Sequence, residues 1–224
     1  MNAAPPAAVI VFPGSNGDRD LFETFERAGF APAYHLSSEP LEPGVRVAGL
    51  PGGFSYGDYW RAGMLASQAP AVRSLPDLVA RDGLVLGICN GFQILVESDL
   101  LPGALAGNAP PGFRHRWLEV ETTPAAAGPW FSGIAAGTVL RMPMAHGEGR
   151  YLHPDGPGAI AGRMPLRYRA NPNGSMADAA ALLDESGRIL GVMPHPERAS
   201  EPDIGSDDGM ALFRSARAWL EGSG

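Results

Sequence analysis

Residues 84–93 constrain this chain more than any other stretch. The short continuous apolar run Leu84–Ile88 meets Cys89 and passes at once into a second apolar, helix-like stretch, Phe92–Val96, with Gly87 and Gly91 on either side of the cysteine. A run of this kind bounded by turn residues suits a strand buried on both faces. A strand that turns sharply into a helix crowds the backbone at the corner, and residues without a Cβ relieve that crowding. The pattern is a nucleophile elbow with cysteine in place of serine, and it pushes the sulfur out at the carboxyl edge of a sheet. The helix N-terminus favours the thiolate. The N–H of Asn90, the next residue, can hold the charge that develops on an attacked carbonyl oxygen. A lone cysteine is most often a small buried apolar residue. The strand, the paired glycines and the following helix together argue otherwise.

The rest of the chain places that elbow in an α/β fold. Ala7–Phe12 is a short β-branched run ended by Pro13 and Gly14, and Asp18–Ala28 carries Leu21, Phe22 and Phe25 at helical spacing before a terminating Gly29. Pro32–Leu36 and Val45–Leu50 read as further strands, and Arg61–Arg81 as a helix that Pro70 and Pro76 break into pieces. Strands alternating with helices over short connections imply an open, mostly parallel, flavodoxin-like sheet with helices on both faces. After Gly103 the texture changes. Residues 117–121, 138–142, 166–170, 180–183 and 189–193 are strand-like with little helix between them, which predicts an extension of the sheet and an added antiparallel portion. Residues 208–220 close the chain as an amphipathic helix. With no repeat and no persuasive linker, residues 1–224 read as a single domain, with Met1–Pro6 a loose tail.

A cysteine nucleophile needs a base. Of the five histidines, His195 stands out because Pro194-His195-Pro196-Glu197 follows the apolar run Ile189–Met193. Residues two apart in an extended segment point the same way, so Glu197 reaches His195 if the chain bends. Pro196 biases His195 to an extended backbone and stiffens the pair. A carboxylate beside imidazole fixes its tautomer and stabilises the imidazolium. The competing reading is a surface turn between two prolines; the elbow tips the balance toward a triad. Pro51-Gly52-Gly53-Phe54, directly after a strand, offers backbone N–H groups at the same sheet edge, and that of Gly53 would complete an oxyanion hole with Asn90. The loops His146–Arg150 and Asn171–Ser175 read as ordinary turns.

Composition narrows the partners. A formal net charge of -7 and the absence of a basic run argue against nucleic acid. No apolar run is long enough to span a bilayer, and the N-terminus lacks the plan of a secretory signal. One cysteine excludes an internal disulfide and points to a reducing cytoplasm. No His, Cys or carboxylate cluster has metal-ligand spacing, and no phosphate-binding glycine loop occurs, so no metal or cofactor is expected in this chain.

Gly87-Ile88-Cys89-Asn90-Gly91-Phe92-Gln93 together with Pro194-His195-Pro196-Glu197-Arg198 resembles the class I glutamine amidotransferases. Phe12–Asn16, Pro51–Tyr59, Leu100–Leu105 and Ala145–Gly149 are similar to the glutaminase subunits of phosphoribosylformylglycinamidine synthases within that family, so the likeness covers almost the whole chain. The resemblance implies the class I glutaminase fold, with Cys89 as nucleophile, His195 as base and acid, Glu197 as its orienting partner and Gln93 helping to hold glutamine. It implies partners too: a synthetase subunit that uses ATP and magnesium to convert formylglycinamide ribonucleotide to its amidine in inosinate synthesis, and a small third subunit. Gly17 and His115 stand where such subunits usually carry cysteine, both off the triad. The alternatives are another cysteine hydrolase of the same fold, such as a small peptidase, and a catalytically silent docking module.

Overall fold

The computed structural model describes residues 3–222; Met1 and Asn2, part of the expected tail, lie outside them. Its frame is a six-stranded sheet made of β1 (Pro6–Val11), β2 (Ala31–Leu36), β3 (Val47–Leu50), β4 (Leu84–Ile88), β10 (Ala181–Leu183) and β11 (Ile189–Val192), in the order β10-β11-β4-β3-β1-β2. Five of these run parallel, and β10 pairs antiparallel to β11 at one edge. The parallel part has the flavodoxin-like order. Every residue of β3, β4 and β11 is buried, as expected of strands covered on both faces.

α1 (Asp18–Arg27) buries Leu21 and Phe25 and ends at Gly29, whose φ of +86° is the left-handed conformation favoured by glycine. It packs on α5 (Met210–Gly222), where Phe25 meets Phe213 edge-on at 5.4 Å. Between β3 and β4 the helix expected to break at Pro70 and Pro76 is two short ones, α2 (Pro70–Arg73) and α3 (Leu75–Ala80), preceded by a 3-10 turn at Ala66–Gln68. Each proline lies in the first turn of its helix, where its missing N–H costs nothing. The tail is tied down sooner than predicted, since Pro5 already accepts a hydrogen bond from Ala31 N–H.

The antiparallel portion is a second sheet of β6 (Arg114–Thr122), β7 (Val139–His146) and β9 (Leu166–Tyr168), in the order β7-β6-β9. A small pair, β5 (Ala104–Ala106) with β8 (Arg150–Leu152), was not expected from sequence. β7 reaches the segment that follows β11, where Pro143 C=O accepts from His195 N–H at 2.8 Å.

The elbow is held by one close approach. α4 (Asn90–Glu97) begins directly after β4, and a Cβ on Gly91 would lie 2.1 Å from the carbonyl oxygen of Leu50 in β3. A Cβ on Gly87 would lie 2.5 Å from Leu95 Cδ1. The first turn of α4 therefore sits on β3 and β4 with no room for a side chain at either glycine. Gly91→Ala is expected to destabilise the protein by about 3 kcal/mol, the upper part of the range for overpacking a core, as measured by urea unfolding.

Candidate active site

Three adjacent parallel strands deliver the site. β4 ends at Ile88, which is paired with Val192 at the end of β11, while Gly87 is paired with Leu50 at the end of β3. Cys89, the Gly52–Gly53 loop and His195 therefore all emerge at one carboxyl edge, where open α/β sheets bind ligands.

Cys89 has φ 51° and ψ −102°, a backbone state that a residue with a side chain rarely adopts. Its side chain is 5 % exposed, and Sγ lies 3.6 Å from Ala145 O on β7. His195 and Glu197 are each 2 % exposed. The chain after His195 bends into a 3-10 turn, Pro196–Arg198, and that bend rather than an extended segment brings Glu197 Oε1 within 2.7 Å of His195 Nδ1. α1 fixes the turn from below: Thr24 Oγ1 donates to Glu197 O at 3.2 Å, and Arg198 Nε pairs with Asp20 Oδ2 at 3.0 Å.

Gly52 shows how close the two halves come. A Cβ there would lie 2.8 Å from His195 Cε1 and 3.6 Å from Cys89 Cβ, so both side chains flank the same point. His195 Nε2 has no hydrogen-bond partner within ordinary geometry, yet Cys89 is near enough to affect its titration. Burial opposes the charged imidazole most strongly, but the Glu197 carboxylate and Cys89 outweigh it and raise the His195 pKa to about 10. His195 is thus held as a proton donor.

The oxyanion candidates have different surroundings. Gly53 lines a cleft of about 290 Å3 that also takes in Cys89, Gln93, His146, Glu148 and His195. Asn90 opens α4, so its N–H has no acceptor within the helix. The Asn90 side chain is fully employed: Oδ1 accepts from Ser55 N–H at 3.0 Å, and Nδ2 donates to Gln93 Oε1 at 2.9 Å and Asp58 Oδ1 at 3.2 Å. Gln93 in turn donates to Glu148 O at 2.6 Å. Both ends of the Gln93 amide are committed to the cleft wall.

Sequence reasoning gave no role to Asp58, Asn108, His146 or Glu148. Asp58 sits in a loop where Tyr56, Asp58 and Trp60 all have positive φ. Burial, then the nearby Glu148 carboxylate, raise its pKa to about 6, against the Asn90 hydrogen bond. Residues 146–150, read as an ordinary turn, instead bring His146, at the end of β7, and Glu148 to the cleft. The glycines at 147 and 149 were the signal available. Of the two departures from the subfamily pattern, His115 is exposed on β6, while a Cβ on Gly17 would lie 3.5 Å from Glu197 Oε1.

Comparison with known proteins gives this arrangement a class. Residues 4–220 match the family described as the CobB/CobQ-like glutamine amidotransferase domain, and the chain belongs to that family. Within it, the chain is 46 % identical over 220 residues to a protein of Ruegeria sp. (strain TM1040) named phosphoribosylformylglycinamidine synthase subunit PurQ, covering 96 % of this chain and 98 % of the relative. It is 47 % identical over 214 residues to the protein of the same name from Cereibacter sphaeroides, covering 93 % and 96 %. A chain in the solved structure of PurLQS from Thermotoga maritima superposes with a TM-score of 0.89 at 40 % identity, over 97 % of this chain and 99 % of that one. The fold is that of the class I glutamine amidotransferases.

Glu197→Gln removes the carboxylate that, with Cys89, offsets burial, so the His195 pKa should fall from about 10, which a pH titration of the imidazole by NMR would record. The folded value lies above the ordinary 6.5, so the ion pair adds stability that is complete below about pH 6.5 and is lost as pH rises through about 10. The stability difference between wild type and variant should narrow across that window.

Proposed function

We propose that this protein is the glutaminase subunit of a phosphoribosylformylglycinamidine synthase, and that it works through Cys89, His195 and Glu197. The observation that carries the reading is the meeting of Cys89 and His195 around Gly52, with Glu197 on the far nitrogen of the imidazole.

The Cys89 thiolate attacks the side-chain carbonyl carbon of glutamine. The N–H groups of Gly53 and Asn90 hold the resulting oxyanion. His195 gives its Nε2 proton to the amide nitrogen, the C–N bond breaks, and ammonia leaves with the glutamyl group held on sulfur as a thioester. Water then attacks the thioester, His195 takes up its proton, and the C–S bond breaks to release glutamate. Glu197 keeps the imidazole in the donating tautomer and stabilises its charge throughout. Gln93 supports glutamine by bracing Glu148 at the cleft wall.

Ammonia released into neutral water is protonated and diluted, so this activity serves an acceptor enzyme only when the two are docked. The relatives named PurQ and the likeness to a chain of PurLQS support a synthetase partner and a small third subunit. That synthetase would use ATP and magnesium on formylglycinamide ribonucleotide in inosinate synthesis. The family match over residues 4–220 supports reading the chain as one amidotransferase domain. No described helix is long and apolar enough to cross a membrane. A nucleophile that must stay reduced suits the cytoplasm.

In the reconstituted complex, Cys89→Ala should lower glutamine-supported product formation by about a thousandfold or more and leave ammonia-supported formation intact. Loss of both activities with assembly intact would contradict this division of labour. Glutamine-supported activity that survives the substitution would remove Cys89 from the mechanism.

A further inference from the structure

Two imidazoles border the cleft, and their surroundings treat them in opposite ways. His195 has a carboxylate at Nδ1, whereas His146, 3 % exposed at the end of β7, has an amide. The partners of Asn108 fix the direction of that amide. Its Nδ2 donates to His146 O at 2.8 Å and to Gly112 O at 2.9 Å, so Oδ1 acts only as an acceptor. Oδ1 takes the N–H of Gly149 at 3.2 Å and the Nδ1–H of His146 at 3.1 Å. His146 is therefore the Nδ1–H tautomer, with a lone pair and no proton on Nε2.

The ring is clamped in that pose, because a Cβ on Gly149 would lie 2.2 Å from its Cε1. Nε2 is buried without a hydrogen-bond partner. Burial first, then the neighbouring His195 and Arg114, resist a second proton and lower the His146 pKa to about 4. His146 lines the cleft together with His195, and with its Nδ1 edge turned to Asn108 its buried Nε2 is a neutral acceptor. Paired groups whose surroundings drive their titrations apart mark a division of acid and acceptor roles. A buried acceptor with no donor destabilises the empty site and is satisfied by a ligand that brings an N–H or O–H.

We propose that His146 Nε2 accepts a hydrogen bond from the carboxamide nitrogen of glutamine, and then from the ammonia formed from it, making His146 a residue of the leaving-group site. This rests on the glutaminase reading. In the tetrahedral intermediate the nitrogen carries one lone pair and two N–H bonds. Its lone pair takes the proton of His195, one N–H points to His146, and the C–N bond breaks to give NH3. His146 has no proton on Nε2 to add, so it steadies the departing nitrogen without converting it to ammonium.

The role separates substrates by whether their leaving group has an N–H. The γ-methyl ester of glutamate presents the same carbonyl but no such donor. In the reconstituted complex, kcat/KM reports acylation, the step in which the leaving group departs. His146→Phe should lower the ratio of kcat/KM for glutamine to that for the ester by about tenfold, the effect of one buried hydrogen bond. His146→Gln, whose Oε1 can replace Nε2 as acceptor, should restore most of the ratio. Should the Phe variant not fold, His146→Leu carries the same prediction.

A parallel fall for both substrates, with the ratio unchanged, would make His146 structural and overturn the proposal. Wild-type complex that hydrolyses neither substrate while still using ammonia would instead sink the glutaminase reading, and this proposal with it.

Discussion

The site depends on the first turn of α4 lying directly on β3. Gly91 faces the Leu50 carbonyl with no space for a side chain, and Gly87 is similarly closed by Leu95. That contact forces the chain to turn within one residue between strand and helix, and Cys89 takes the strained corner at φ 51°. The surrounding core holds it there, since β3, β4 and β11 are buried throughout. Backbone strain of this kind persists only where neighbouring packing over-determines it, and here the same packing presents the sulfur at the sheet edge.

From that corner the rest follows by register. Because Ile88 pairs with Val192, the chain leaving β11 runs beside the elbow and needs only a few residues to bring His195 to it. α1 and β7 complete the placement from outside the sheet, α1 through Thr24 and Asp20 and β7 through Pro143. The second sheet thus does more than enlarge the core. It carries Ala145 to the cysteine and, with His146, makes one wall of the cleft.

Much of this was legible in the amino-acid order, for identifiable reasons. Buried parallel strands are continuous apolar runs, so β1, β3, β4 and β11 announce themselves to within a few residues, and Leu84–Ile88 needs no adjustment. The elbow and the His195–Glu197 pair are local patterns, which short windows can reveal. What escaped depends on distant partners. His146 owes its tautomer to Asn108, 38 residues earlier, and β5 and β8 are three-residue strands defined by pairing with each other. Asp58 becomes unusual only when folding buries it and places it near Glu148. The helix expected over 61–81 is divided at Pro70 and Pro76 as the prolines implied, but residues before Pro70 form only turns, because the prolines open short helices rather than interrupt a longer one.

The proposed reaction passes through a covalent bond to one sulfur, and mass spectrometry of the complex quenched in acid while it consumes glutamine tests for that bond most directly. A glutamyl adduct on the peptide that contains Cys89, formed and lost at the rate of turnover, is the predicted result. Steady glutamate release with no adduct on that peptide, or with the glutamyl group on another residue, would contradict it.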